Sequence, residues 1–212
     1  MAATTRTTSS TATGCQSDNG VDQLDRQRRV KLGAALYAGW VALVITGIVG
    51  GLGLAFQQPW LFPSLGPTIF IHTVTPNQEA ARPWNTFVGH SIGAAAAFLS
   101  LGLFGALHAP SAMAAGHVSA SRIAASALAV ALTIGGQIPA RAGHAPATAT
   151  TLLITLGGFP ADLATIAVLV IGIGLSTLLC DWGRRAVGWE FKFLLARNYG
   201  ASRRFWKKPP NV

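Results

Sequence analysis

The chain has 212 residues, of which 50% are hydrophobic and only 11% are charged, and its formal net charge at pH 7 is +9. This composition excludes a disordered chain and is unusual for a soluble domain. Between Gly33 and Cys180 the only charged residues are Glu79, Arg82, Arg122, Arg141 and Asp162, too few to cover the surface of a soluble fold. We therefore expect residues 33–182 to form one membrane domain.

Basic residues are concentrated on both sides of this domain. Four of them precede it, from Arg26 to Lys31, and eight follow it, from Arg184 to Lys208. The positive-inside rule then predicts that both termini are cytoplasmic and that the number of spans is even. The distribution favours contact with anionic lipid headgroups over binding of nucleic acid. We expect a multi-pass protein of the bacterial plasma (inner) membrane rather than of an organelle membrane.

The two ends of the chain differ from the region between them. Residues 1–32 are polar and rich in Ser and Thr, which predicts a disordered basic tail. Residues 183–212 combine Trp and Phe with Arg and Lys, which is typical of an interfacial amphipathic helix. Cys15 and Cys180 lie far apart, show no metal-binding spacing and are too few for a disulfide framework. No metal or cofactor is expected.

Four long apolar runs and two short, interrupted ones make up the membrane domain. The long runs, each close to the ~20 residues that cross a bilayer, are 33–56, 85–107, 120–136 and 161–180. The short runs are 59–72 and 144–156, and their Pro, Gly and Thr residues predict broken helices, or half-helices. The order of span, broken segment and span occurs in 33–107 and again in 120–180. We therefore predict an all-α membrane protein of two similar units, each with two long transmembrane helices and one half-helix.

The topology depends on whether the broken segments cross the bilayer. If they cross, each unit has three spans and the second unit is an inverted repeat of the first. If they are re-entrant, the chain has four full spans and the units are parallel. We favour crossing because Arg82 and Arg141 then lie on the cytoplasmic side, although Arg122 then lies outside. A bundle of this size is also compatible with a homo-oligomer.

Short broken segments at matching positions of a repeated membrane protein point to a substrate site near the midplane. The predicted half-helices begin near residues 64–68 and 146–150, and a helix N-terminus offers N–H groups and partial positive charge to an anion. The candidate substrate-binding residues in these turns are Ser64, Gly66, Thr68, Pro146, Thr148 and Thr150, and the hydroxyls among them add donors. The opposing interpretation is that Pro and Gly only kink packed helices.

Two histidines and one asparagine complete the candidate site. His144 opens the second broken segment and His90 lies early in the second long run, where an imidazole can donate to an anion or, once protonated, pair with it. Asn85 either caps the second long helix or joins the site. His72 is assigned to the membrane interface and the remaining two histidines to a connector.

Several absences limit the chemistry. No Asp or Glu lies deep within an apolar run, which disfavours a carboxylate proton relay and a cation site. The HExxH pattern of zinc proteases and the Walker motif of ATPases are also missing from the sequence. We therefore expect no enzyme and assign no catalytic residue.

The same residues resemble the HPP family of small integral membrane proteins, named for a His-Pro-Pro motif that is usually followed by Ala-Gly-Ala-Thr-Ala. Residues 144–150 read HAPATAT, and upstream the patterns LGPT at 65–68, RPWN at 82–85 and VGH at 88–90 fit the family's order and spacing. The chain departs from the family pattern at three positions: Ala145 replaces the middle Pro, Thr148 the Gly, and Trp84 the usual Arg. Members of the family in plants and cyanobacteria are linked to nitrite transport, so the resemblance implies a transporter of nitrite or a similar anion.

The residues and the resemblance together predict transmembrane transport of a small monovalent anion, with nitrite as the first candidate. Two other classes stay open at this point. One is a non-transporting membrane protein whose basic tail binds lipid or a partner, and the other is an intramembrane enzyme with a histidine-centred site.

Overall fold

The computed structural model describes the backbone of residues 13–198 and the side chains of residues 32–185. All regular elements in this range are helical, as the sequence predicts. In chain order they are α1 (Thr13–Phe56), α2 (Leu65–Val74), a 3-10 turn (Glu79–Ala81), α3 (Pro83–Leu103), α4 (Ala112–Ala115), α5 (Ala120–Gln137), α6 (Pro146–Thr155) and α7 (Leu163–Asn198). The two interrupted segments thus contain the short helices α2 and α6.

Three stretches of helix are long and apolar enough to cross a membrane: Leu32–Phe56, Pro83–Leu103 and Leu163–Arg185. The sequence predicted four such spans, and the remaining one, at 120–136, forms α5. This helix has 18 residues, and the polar residues Arg122 and Gln137 lower its mean hydropathy. Both side chains are buried inside the protein. Large apolar side chains are exposed around the bundle, Leu54 and Leu178 among them, as suits a surface that faces lipid.

The half-helices α2 and α6 each have 10 residues. At about 1.5 Å per residue each is about 15 Å long, which is half of the ~30 Å hydrocarbon core. Each follows a stretch without regular α-helix, at 57–64 and 138–145. Their length therefore suits helices that start near the middle of a membrane, and crossing of the bilayer by these segments stays a prediction.

Each half-helix packs against one helix of its own predicted unit and one helix of the other unit. The half-helix α2 packs against α1 of its own unit and α7 of the other, while α6 packs against α5 of its own unit and α3 of the other. The final helices of the units, α3 and α7, also pack against each other. Two equivalent three-helix units would produce this pattern, and the inverted orientation of one relative to the other stays a prediction.

The ends of the described range differ from the predicted tails. Helix α1 begins at Thr13, within the segment 1–32 that was predicted to be disordered, and α7 continues to Asn198 without a break at residue 183. Residues 1–12 and 199–212 lie outside the described part of the chain, as do the side chains beyond Arg185 that carry the predicted interfacial contacts. Asp162 precedes α7, and its carboxylate accepts from the backbone N–H of Thr165, a bond that lowers the pKa of Asp162.

Glycines on α3 allow α6 to approach closely. A Cβ added at Gly93 would lie 2.7 Å from Oγ1 of Thr151 and 2.9 Å from the carbonyl oxygen of Ala147, and one at Gly89 would lie 2.9 Å from Cβ of His144. The contact between α3 and α6 therefore depends on the missing side chains.

Replacing Gly93 with alanine should push α6 away from α3, and overpacking of this kind costs about 1–3 kcal/mol of stability. Gly135→Ala on α5 is the matched control, because a Cβ there meets nothing within 4 Å and alanine is the better helix former. Thermal unfolding in detergent should show a lower midpoint for Gly93→Ala and an equal or higher one for Gly135→Ala. Equal midpoints for wild type and Gly93→Ala would contradict the close contact.

Candidate functional site

Five buried polar side chains form a connected cluster inside the apolar bundle. Ser64 and Thr68 come from the start of α2, His90 from α3, His144 from the turn before α6, and Thr150 from α6 itself. None of the five is more than 5% exposed. Because water does not reach these groups, each hydrogen bond within the cluster contributes to stability: a buried polar group without a partner costs free energy.

Thr68 occupies the centre of this cluster. Its Oγ1 lies 3.1 Å from Nε2 of His144 and 3.3 Å from Nε2 of His90. The two imidazole rings are 5.0 Å apart between centroids. One hydroxyl thus joins the histidine of α3 to the histidine of the turn before α6.

The cluster continues from His90 to the start of α2. Nδ1 of His90 lies 2.8 Å from Oγ1 of Thr150, and the hydroxyl of Thr150 donates to Oγ of Ser64 over 2.8 Å. The two half-helices are therefore joined twice, once through Ser64 and Thr150 and once through Thr68 and His144.

The position of His144 is set by the backbone around it. Its Nδ1 donates to the carbonyl oxygen of Ala80 over 2.8 Å, and its backbone N–H donates to Oε1 of Gln137 over 3.0 Å. Because a carbonyl can only accept, Nδ1 carries a hydrogen and Nε2 of the neutral ring faces Thr68 as an acceptor. The sequence analysis placed His144 at the opening of the second broken segment, and its part in binding a substrate stays a prediction.

His72, which the sequence analysis assigned to the membrane interface, is buried inside the protein, and its depth in the membrane stays a prediction. The side chain is 0% exposed, its Nε2 lies 2.9 Å from Oγ1 of Thr86, and its ring centroid is 6.5 Å from that of His144. Nδ1 of His72 has no hydrogen-bond partner. The signal that could have placed it is its spacing of four from Thr68, which puts both on one face of α2.

A cavity of about 10 Å3 adjoins the cluster, which is room for about one water molecule. Its polar lining comes from Ser64, Thr68, His90 and Ser176, and its apolar lining from Phe62, Leu65 and Ile173. Oγ of Ser176 is buried and has no partner. The sequence analysis missed Ser176, because a single hydroxyl within the apolar helix α7 gives no distinguishing signal.

The structure places other predicted site residues away from this interior. Gly66, Pro146 and Thr148 line a wide, mostly apolar groove between α2 and α6 that opens to the outside of the bundle. The hydroxyl of Thr148 donates to the carbonyl of Ala145 in its own turn. The predicted site is therefore divided into the interior cluster and this outer groove.

Asn85 lies in the first turn of α3 but is not its N-cap, which is Arg82. The side-chain amide of Asn85 donates to the carbonyl of Gly143 over 3.2 Å. Pro83 begins the helix and fixes its first turn without needing a capping side chain. Asn85 consequently supports the turn that carries His144 instead of capping its own helix.

Four backbone amides at the starts of the half-helices already have partners. In α2 the N–H groups of Leu65 and Thr68 donate to the carbonyls of Phe62 and Ser64. In α6 the N–H groups of Ala147 and Thr148 donate to the carbonyls of His144 and Ala145, and Pro146 has no N–H. Donors that face the interior cluster therefore come mainly from side chains.

Among the hydrogen bonds of residues 32–185, none joins a carboxylate to the cluster. Asp181 on α7 is held by Arg184 and Arg185 through both of its oxygens. Within the described residues no group of three His, Cys, Asp or Glu side chains is placed to hold a metal ion. The arrangement offers hydroxyl and imidazole groups, which can donate hydrogen bonds to an anion.

Comparison with known proteins gives one match. A family model described as "HPP, transmembrane region" matches residues 26–182, which include α2, α3, α5, α6 and the whole interior cluster. No curated protein and no solved structure matches the chain.

Proposed function

We propose that this chain, which belongs to the HPP transmembrane family, transports a small monovalent anion across the membrane, with nitrite as the first candidate. The basic residues that flank the membrane domain support an orientation with both termini in the cytoplasm of an inner-membrane protein. The interior cluster is the proposed binding site.

One observation carries this proposal. The cavity beside the cluster is bordered by the hydroxyls of Ser64, Thr68 and Ser176 and by the imidazole of His90, and none of the described residues that line it is a carboxylate. Hydroxyls and imidazoles donate hydrogen bonds to an anion, whereas a cation site in a membrane protein needs carboxylates or free carbonyls. Nitrite presents two acceptor oxygens and one negative charge, so it matches a small site of several donors.

The proposed movement separates the half-helices. The cavity has room for about one water molecule, so a three-atom anion requires that neighbouring side chains move. In this proposal the two links between the half-helix segments, from Thr150 to Ser64 and from Thr68 to His144, separate the cavity from the groove between α2 and α6. These links break and re-form as one unit moves against the other, and such rigid-body motion gives access from alternate sides in transporters with broken helices.

Anion flux into proteoliposomes tests the proposal directly. Wild type should carry nitrite faster than protein-free liposomes do, and nitrate, formate and chloride define its selectivity. Ser176→Ala should lower the rate about tenfold or more, because a hydrogen bond to a charged group contributes about 1.5–3 kcal/mol.

Ser100→Ala is the matched control for this experiment, since the Ser100 hydroxyl is also buried and without a partner but does not line the cavity. It should transport at the wild-type rate. Folded wild type that carries none of the four anions would overturn the proposed function.

A further inference from the structure

The interior cluster has one hydrogen fewer than its contacts require. Five contacts run in series from the Ala80 carbonyl through His144, Thr68, His90 and Thr150 to Ser64, and each needs one hydrogen. Two neutral imidazoles and the hydroxyls of Thr68 and Thr150 supply four. The Ser64 hydroxyl does not supply the fifth, because it is the acceptor in its contact with Thr150.

The missing hydrogen belongs between the two histidines. With His144 neutral, the Thr68 hydroxyl donates to Nε2 of His144, and the Thr150 hydroxyl donates to Ser64. Both hydroxyl oxygens then face His90 with lone pairs, so both of its ring nitrogens need a hydrogen. If the added proton is on His144 instead, the Thr68 hydroxyl turns to Nε2 of His90 and the same contacts are satisfied.

We propose that His144, Thr68 and His90 form a proton-binding relay and that one proton is carried together with each transported anion. This inference rests on the proposed function. The proton enters from the same side as the anion and binds to a ring nitrogen of either histidine. It passes between them through Thr68: Oγ1 takes the hydrogen from Nε2 of one ring as it gives its own hydrogen to Nε2 of the other, and the proton then leaves with the anion.

The surroundings of the relay explain why proton and anion bind together. A single buried positive charge is costly without a partner of opposite sign. Among the residues whose side chains the structure describes, 32–185, the ionisable groups on or beside the elements packed around α3 are His144 and His72, Glu79 and Arg82 at the 3-10 turn, Arg122 on α5, and Cys180, Asp181, Arg184 and Arg185 on α7. The carboxylates among them, Glu79 and Asp181, have arginine partners outside the relay.

The counter-charge for a protonated relay is therefore the anion itself, in the cavity that His90 and Thr68 line. Anion and proton together are neutral, so both can occupy the apolar interior at a much lower cost than either alone. Transport of such a pair moves no net charge across the membrane.

Proteoliposomes that contain a pH-sensitive dye distinguish this mechanism from movement of the anion alone. With wild type, nitrite entry should acidify the lumen faster than in protein-free liposomes, with one proton for each anion. The rate should be the same when valinomycin and potassium set the membrane potential to zero or to an inside-negative value. Nitrite flux that follows the membrane potential and brings no protons would overturn the relay and leave the proposed function intact.

Variants of the relay provide the second measurement. Thr68→Val removes the hydroxyl between the histidines and should lower coupled flux about tenfold or more, whereas Thr68→Ser should keep it. Thr133→Val is the control for loss of a buried hydroxyl outside the relay, because Thr133 bonds to Ala129 and Thr151. Wild-type coupling in folded Thr68→Val would overturn the relay, and absence of any anion flux in wild type would overturn both proposals.

Discussion

Replacing His144 with alanine is expected to reduce nitrite flux to the level of protein-free liposomes. The substitution removes the acceptor that faces Thr68 and the donor that binds the carbonyl of Ala80, so one of the two links between α2 and α6 is lost. It also removes one end of the proposed relay. Initial rates of nitrite entry, normalised to the amount of reconstituted protein, measure the effect.

Two further variants separate the function of His144 from its contribution to folding. In His144→Asn the side-chain amide nitrogen lies near the position of Nδ1 and can keep the bond to Ala80, but nothing replaces Nε2. We expect a folded protein, as judged by size exclusion in detergent, that is as inactive as His144→Ala. His117→Ala is the matched control, because His117 is exposed and bonds only to the nearby carbonyl of Ala115. Near wild-type flux in folded His144→Asn would contradict the proposed site.

The broken segments were predictable because their signal is local. Pro63, Gly66 and Pro67 interrupt one apolar run, and Pro146 interrupts the other, and the structure has short helices at both places. The order of elements and the all-helical fold follow from the same hydropathy pattern. Boundaries differ by a few residues, as for α3, which begins at Pro83 and ends at Leu103 where the prediction gave 85–107.

The contents of the interior were less predictable because they depend on which helix faces meet. Thr68, His90 and Thr150 were candidates from their segments alone, yet only the packing of α2 and α6 against α3 and α7 shows that they touch each other. Ser176 lies on α7 and contributes through that packing. The groove position of Thr148 has the same origin, since it is two residues from Thr150 and faces another side of α6.

Arg122 is the residue whose surroundings differ most from the sequence interpretation. As a basic residue at the start of an apolar run it was counted as a loop charge, and it opposed the crossing topology. The structure buries it to 3% exposure, with its guanidinium donating to the carbonyls of Ala109, Pro110 and Thr155. Contacts with protein carbonyls fix the position of the Arg122 guanidinium. The positive-inside rule counts charges in loops, so it does not apply to this buried residue.

Arg122→Ala is therefore expected to destabilise the protein by about 3 kcal/mol or more, because each buried acceptor left without its donor costs about 1–3 kcal/mol. Three carbonyls lose their donors, and the C-terminal end of α6, where Thr155 is the last residue, loses the cation that complements its partial negative charge. Arg82→Ala is the control, because its side chain is 63% exposed and its ion pair with Glu79 is worth about 1 kcal/mol at most. Unfolding in detergent at increasing denaturant compares the three proteins.

Arg122→Lys separates this structural role from a direct part in transport. Lysine keeps the charge but cannot match the planar fork that reaches three carbonyls, so its stability should fall between those of wild type and Arg122→Ala. Flux per folded molecule should stay at the wild-type value, because Arg122 contacts α6 at its last residue, Thr155, away from the N-terminal end of the helix, and does not line the cavity. A stable Arg122→Lys protein with altered anion selectivity would instead place Arg122 on the transport path. Arg122 is thus predicted to anchor one end of α6 while the other end opens and closes against α2.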